Sequence, residues 1–250
     1  MTVSDVLNEG VKERPILFSG PMVRALLDGR KTQTRRVVKP MRKQSFLTPE
    51  LLASAPSVNI GEGWAGFAHP EGGPLTSIRC PYGKPGDRLW VRETVACGAC
   101  AGGPPSHWSP SFWRREQGTP ANRNGLWYAA DDLSPEKPIT ERGRWVPGIH
   151  MPRWACRLVL EITDVRVERL LDCSDADAQA EGLQWAAPGM WSVDRTLPII
   201  GIDAPQVYFE LWNHINGAGA AEANPWVWAV SFRVLSDDER QAARQSKGAE

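Results

Sequence analysis

Four basic side chains, two hydroxyls and an amide crowd into one short run, Gly29-Arg30-Lys31-Thr32-Gln33-Thr34-Arg35-Arg36. Cations of this density hold anionic or polar oxygens, and the threonine hydroxyls both donate and accept hydrogen bonds. From Gly29 to Lys43 there are seven Lys/Arg and no Asp or Glu. The bland alternative is a solvated basic face. Position speaks against it: the run follows the end of an expected helix and leads into apolar Val37-Val38.

Two elements must position these residues. Ser19 to Asp28 reads as a short amphipathic helix, with Ser19 as cap, Pro21 in the first turn and Gly29 ending it in a left-handed conformation. Lys31 to Val38 suits an extended strand. Successive side chains in a strand alternate faces. Arg30, Thr32, Thr34 and Arg36 would then share one face, and Lys31, Gln33 and Arg35 the other, unless a turn or bulge at Lys31 resets the register.

Other residues invite chemistry less strongly. Arg88 to Thr94 alternates as a strand, with Leu89 and Val91 on one face and Arg88, Trp90 and Arg92 on the other. Trp90 beside Arg92 could sandwich a base, although core packing is the commoner fate of such a tryptophan. Trp64, in a Gly-rich segment with Phe67 and His69, is a weaker candidate. Cys97-Gly98-Ala99-Cys100 is half of a zinc site, with Cys80 and His107 as conceivable partners, but it lacks a second pair. His69, His107, His150 and His214 show no ligand spacing. There is no Walker loop and no GxGxxG. Neither metal nor cofactor is expected.

With 250 residues, 42% of them hydrophobic, the chain can bury a core of one large or two small domains. Its net charge is zero, so any polyanion site must be a local patch rather than a bulk field. Twelve Trp against three Tyr supplies cores, interfaces and stacking platforms alike. The polar stretch from Met1 to Arg14 is no signal peptide, no apolar run reaches membrane-spanning length, and the five cysteines form no regular framework. A reducing cytoplasm is the simplest expectation.

Along the chain, a strand at Arg14 to Phe18 precedes the first helix. Trp154 to Leu170 is the longest strand-like run. Asp172 or Ser174 caps a helix from Asp175 to Glu181 that stops at Gly182. Ala204 to Ile215 reads as a helix, and Asn224 to Leu235 as a closing strand. Met41–Pro85, Val95–Pro152 and Gln184–Ile202 read as irregular insertions, and 1–14 and 236–250 as loose termini. The core order β, α, β, β, β, α, α, β points to an α+β fold: a small mixed barrel with flanking helices, forming a single domain over 15–235.

Leu27-Asp28-Gly29-Arg30-Lys31-Thr32-Gln33-Thr34-Arg35-Arg36, the Gly86-Asp87-Arg88-Leu89 turn and the Ala178-Gln179-Ala180-Glu181-Gly182 helix together resemble the ASCH domain family, of the PUA-like superfamily. The likeness is closest to the longer ASCH-like proteins of bacteriophages and prophages, and covers about half of the chain. It implies a PUA-like β-barrel with a cleft between barrel and helices, and a ligand that is RNA or a modified nucleoside. One member type is an amidohydrolase that deacetylates N4-acetylcytidine. Its Lys, Thr and Glu match Lys31, Thr34 and Glu181. In that chemistry Thr34 is the nucleophile or positions a water, Lys31 is base or carbonyl-polarising cation, and Glu181 passes a proton to the leaving amine. Arg30, Arg35, Arg36, Trp90 and Arg92 would bind substrate. A binding module without chemistry, or a ribonuclease on the same scaffold, stands beside this reading.

Overall fold

The computed structural model of the chain describes residues 10–39, 57–68, 76–97, 126–131 and 145–246. Among these residues the fold is mixed α and β, mostly strand with few helices. The strands are β1 Glu13–Leu17, β2 Gln33–Val37, β3 Ser57–Gly61, β4 Trp64–Phe67, β5 Thr76–Arg79, β6 Arg88–Arg92, β7 Val95–Cys97, β8 Leu126–Tyr128, β9 Val159–Arg169, β10 Gln184–Ala187, β11 Met190–Asp194, β12 Leu197–Gly201 and β13 Trp226–Val234. The helices are α1 Gly20–Leu27, α2 Asp175–Ala180, α3 Ala204–Asn216 and α4 Asp237–Ser246. The largest sheet runs β1-β6-β9-β13-β2. No helix among the described residues is long and apolar enough to cross a membrane.

The chain divides into two compact units, Met1–Arg14 with Asp28–Arg88 and Glu161–Val234, and Pro15–Leu27 with Leu89–Leu160 and Leu235–Glu250. The first unit is built on β13 and β2, which pair antiparallel with Val230 opposite Thr34 and Trp228 opposite Arg36. Val227 to Val230 are buried in succession, so β13 is covered on both faces and reads as a continuous apolar run. The two helices of this unit start on side-chain caps. Ser174 and Asp177 form a reciprocal capping box on α2. Asp203 accepts from the Gln206 N–H at 2.8 Å to cap α3. Val207, Tyr208, Leu211 and Trp212 then fall at helical spacing and bury one face of α3 with Leu170, Ala178 and Leu183.

In the second unit α1 buries Val23, Ala25 and Leu26. Its first turn closes on Ser19, whose carbonyl accepts from the Val23 N–H at 2.9 Å. Gly29 just beyond the helix has φ 72°, the left-handed conformation its sequence position anticipates. In β6 Leu89 and Val91 are buried while Arg88, Trp90 and Arg92 are half-buried, as alternation requires. Val95, Met151, Ala155, Val159 and Leu235 form the core here, with Trp90, Tyr128 and Trp154 packed against it.

All three stretches expected to be irregular contain order. Within 95–152, where Leu126 to Ala129 reads from sequence as a strand, β7 and β8 pair antiparallel with Val95 opposite Tyr128. Within 41–85, β3, β4 and β5 form a three-stranded antiparallel sheet. Within 184–202, β10, β11 and β12 form another. The strands are short, and the register shifts between Trp185 and Ala187 and between Ser192 and Asp194 break the period-two pattern. The turn joining β3 to β4 holds Gly61, Glu62 and Gly63 all at positive φ, so glycine content here marks a tight hairpin rather than a loop.

Candidate active site

The basic run is stitched into place by its backbone. Thr32 donates its N–H to the Ala180 carbonyl at 2.8 Å, and its own carbonyl accepts from the Phe232 N–H at 2.8 Å. That pins the segment between the last turn of α2 and β13. The strand itself starts only at Gln33, so Lys31 lies before it and is not bound by strand alternation. Its side chain meets the residue that ends α2. Lys31 Nζ donates to Glu181 Oε2 at 2.6 Å and to the Glu181 main-chain carbonyl at 2.8 Å. An ammonium is well placed there, because the last carbonyls of a helix lack partners and carry its negative end. The two side chains are 0% and 4% exposed, so the pair is held out of water.

The other oxygen of Glu181 is also occupied. Tyr208 donates its hydroxyl to Oε1 at 3.1 Å, and Arg35 reaches the same oxygen at 3.4 Å. Arg35 itself is wholly buried. Its Nε donates to Glu168 Oε1 at 2.8 Å, and its far nitrogen lies 3.4 Å from Asp177. Arg166 closes the circuit, donating to Glu168 Oε2 and to Asp177 Oδ1 at 2.7 Å each. Lys31, Arg35 and Arg166 thus face Glu168, Asp177 and Glu181, three charges of each sign. The buried ions Lys31, Arg35 and Glu181 are each compensated, with the half-buried Arg166, Glu168 and Asp177 completing the set.

Burial pulls the Lys31 ammonium below the ordinary lysine range; Glu181 opposes this, while Arg36 and Arg35 push it further down. Burial raises the Tyr208 hydroxyl well above its usual value, reinforced by Glu181, so it remains a donor. Cys173 lies among the same groups, but burial pushes its thiol up to about 12, so it is no thiolate nucleophile at neutral pH. Asp177 is opposed by desolvation, yet its bonds to Ser174 and Arg166 and the charge of Arg35 hold it well below the usual carboxylate range.

Of the residues singled out from the sequence, Lys31, Arg35 and Glu181 meet here. Thr34 is buried in β2 and, by alternation, projects to the face opposite Gln33 and Arg35. Arg36 is half-buried on that same opposite face, in register with Trp228. Arg30 donates to the Gly182 carbonyl and pairs with Asp28 at 2.9 Å, so it fastens the chain just past Glu181. Trp90 and Arg92 belong to the second unit, where the Arg92 guanidinium lies 5.3 Å from the Trp90 ring and that of Arg153 5.7 Å. Arg92 also donates to the carbonyls of Gly148 and Ile149. Trp64 carries Arg79 at 5.8 Å from its ring. The side chain of Cys97, and all of Cys100, His69 and His107, lie outside the described residues. No group of three metal-ligating side chains occurs among the described residues.

Sequence reasoning missed Tyr208, Glu168, Asp177 and Arg166. The only signal for Tyr208 is a lone hydroxyl in the apolar row of α3. The others looked like ordinary surface charges on a strand and a helix cap. No family model matches the chain, and no curated protein or solved structure matches it.

Proposed function

We propose that this chain is an ASCH-like protein with a PUA-like barrel, binding a modified nucleoside or RNA and hydrolysing an N-acyl amide on the base. The observation that supports it is the contact of Lys31 with Glu181, out of water and across 150 positions of sequence. Lysine and glutamate held together in this way can exchange a proton, and burial biases the lysine toward its basic form. In the proposed reaction the base form of Lys31 takes a proton from a water, which is the nucleophile. The carbonyl carbon gains a C–O bond and loses its C–N bond. Glu181 carries the proton to the departing amine, so that water and an acetylated base become acetate and the free amine. The bacterial cytoplasm, of a cell hosting a phage or prophage, is the setting that goes with this reading.

The test is incubation of the purified protein with N4-acetylcytidine, followed by chromatography of the bases. Cytidine and acetate should appear, and Lys31→Ala or Glu181→Gln should stop their release. If a panel of acylated nucleosides yields no product, the hydrolytic reading is wrong. Binding of RNA without chemistry is the second reading, favoured by the half-buried Trp90 with two guanidiniums within 6 Å of its ring. It requires salt-dependent RNA binding that Trp90→Ala weakens.

A further inference from the structure

Trp185, in β10, is 62% exposed, an unusual exposure for so large an aromatic. Its partner across the strand pair is Trp191, and the two rings stack with centroids 4.2 Å apart at 31°. Trp191 in turn packs on the cluster that contains Ala178, Leu183 and Tyr208. The inner indole is therefore anchored against the core cluster to which Tyr208, the donor to Glu181, also belongs. The outer indole is backed on one side by Trp191 and otherwise largely open to solvent. An aromatic ring fixed in this way loses little entropy on receiving a planar ligand.

The chemistry around it suits a nucleic-acid strand. From Gln184 to Gly201 the sequence has one carboxylate, Asp194, and it is buried, accepting from the Thr196 N–H at 2.8 Å and hydroxyl at 2.6 Å. Arg195 beside it is exposed. A phosphate passing over these strands meets a cation and no exposed acid from them. Trp185 follows Glu181 by four positions, so their Cα atoms can be no more than about 14 Å apart. A base lying flat on the exposed indole is not the base whose amide would meet Lys31, so a ligand that uses both places must carry two bases.

We propose that Trp185 is a stacking platform for a base of single-stranded RNA adjacent to the base whose amide is cleaved, so that the substrate is a strand rather than a free nucleoside. This rests on the hydrolytic reading for the reacting base, while the stacking itself rests on Trp185 and Trp191. The test uses the full chain and a short single-stranded RNA carrying one internal N4-acetylcytidine. Affinity is measured by anisotropy of a labelled strand, and turnover is measured on the strand and on free N4-acetylcytidine. Trp185→Ala should weaken strand binding about tenfold, the loss expected for one base–aromatic stack, with Trp185→Phe intermediate. The same change should raise KM for the strand with little effect on kcat, lowering the preference for strand over nucleoside by a similar factor. Strand addition should quench indole emission, and Trp185→Phe should remove part of that quenching. Equal affinity of wild type and Trp185→Ala for the strand would overturn the proposal. So would concentration-dependent self-association that Trp185→Ala abolishes, since the face would then serve a second copy of the chain. Binding that depends on Trp185 without any turnover would leave the stacking site standing and dispose of the hydrolytic reading alone.

Discussion

Each unit of this protein buries a glutamate against an arginine near a tyrosine, and the two arrangements differ in one respect that decides what they can do. In the second unit Glu93 is gripped by Arg157 at both oxygens, at 2.9 and 3.0 Å, and the same guanidinium grips Asp131 at 2.7 and 2.8 Å. Its plane lies 4.0 Å from the Tyr128 ring. Burial raises the Glu93 carboxyl, Arg157 opposes that, and an arginine at neutral pH has no proton to give up. This is a closed clamp that orients chain segments. In the first unit Glu181 shares one oxygen with Arg35 and Tyr208 and gives the other to Lys31, the one cation there that can lose its proton. A lysine in a buried pair, unlike an arginine, has an accessible neutral form, which is what the proposed proton transfer requires.

That contrast can be broken most severely at Arg157. Arg157→Met leaves both oxygens of the buried Glu93 without their donors and should cost about 3–5 kcal/mol in urea unfolding, while the folded fraction keeps its turnover. Undiminished stability would mean that the clamp is ornamental. Lys31→Met should cost somewhat less, about 3 kcal/mol, because Arg35 and Tyr208 still attend Glu181, but it should abolish turnover. A variant that loses stability and keeps activity would place Lys31 with the clamps. Tyr208→Phe removes one hydrogen bond to a buried carboxylate and should cost about 1.5–3 kcal/mol by thermal or chemical unfolding.

The smallest effect is one of pH. Asp177 has a folded-state pKa held below its unfolded value, so its contribution is present above about pH 4, the ordinary aspartate value, and drains away as acid protonates it below that. The melting temperature of the wild type should fall as the pH drops from about 4 toward about 2, and Asp177→Asn should flatten that fall. An unchanged pH slope in the variant would show that Asp177 adds nothing to the network.

Much of the local architecture was readable in advance. The α1 helix with Gly29 beyond it, the alternation of β6, the Ser174 cap and the end of α2 near Gly182 all follow from patterns within a few residues. Lys31 and Glu181 stood out as well, though through a resemblance and not through any physical link visible along the chain. The sheets inside 41–85 and 184–202 were hidden, because short strands interrupted by glycine and register shifts leave no periodicity to detect. The partners of Arg35 were hidden for a different reason. Glu168, Asp177 and Arg166 look like solvent-facing charges until the fold brings the two acids against the buried Arg35 and Arg166 against both.

From sequence alone came the five strands of the largest sheet, the helices α1 to α3, the basic hydroxyl-bearing run and the absence of any bulk charge to draw a polyanion. Only tertiary structure brought Lys31 to the end of α2, by pinning Thr32 between Ala180 and Phe232. It also set Thr34 and Arg35 on opposite faces of β2, because the strand begins at Gln33 and so fixes which residues alternate. The physical reason is that caps and strand periods are local, whereas the protonation of a lysine depends on what surrounds it. Those surroundings are contributed by two stretches far apart in the chain, 31–36 and 166–208.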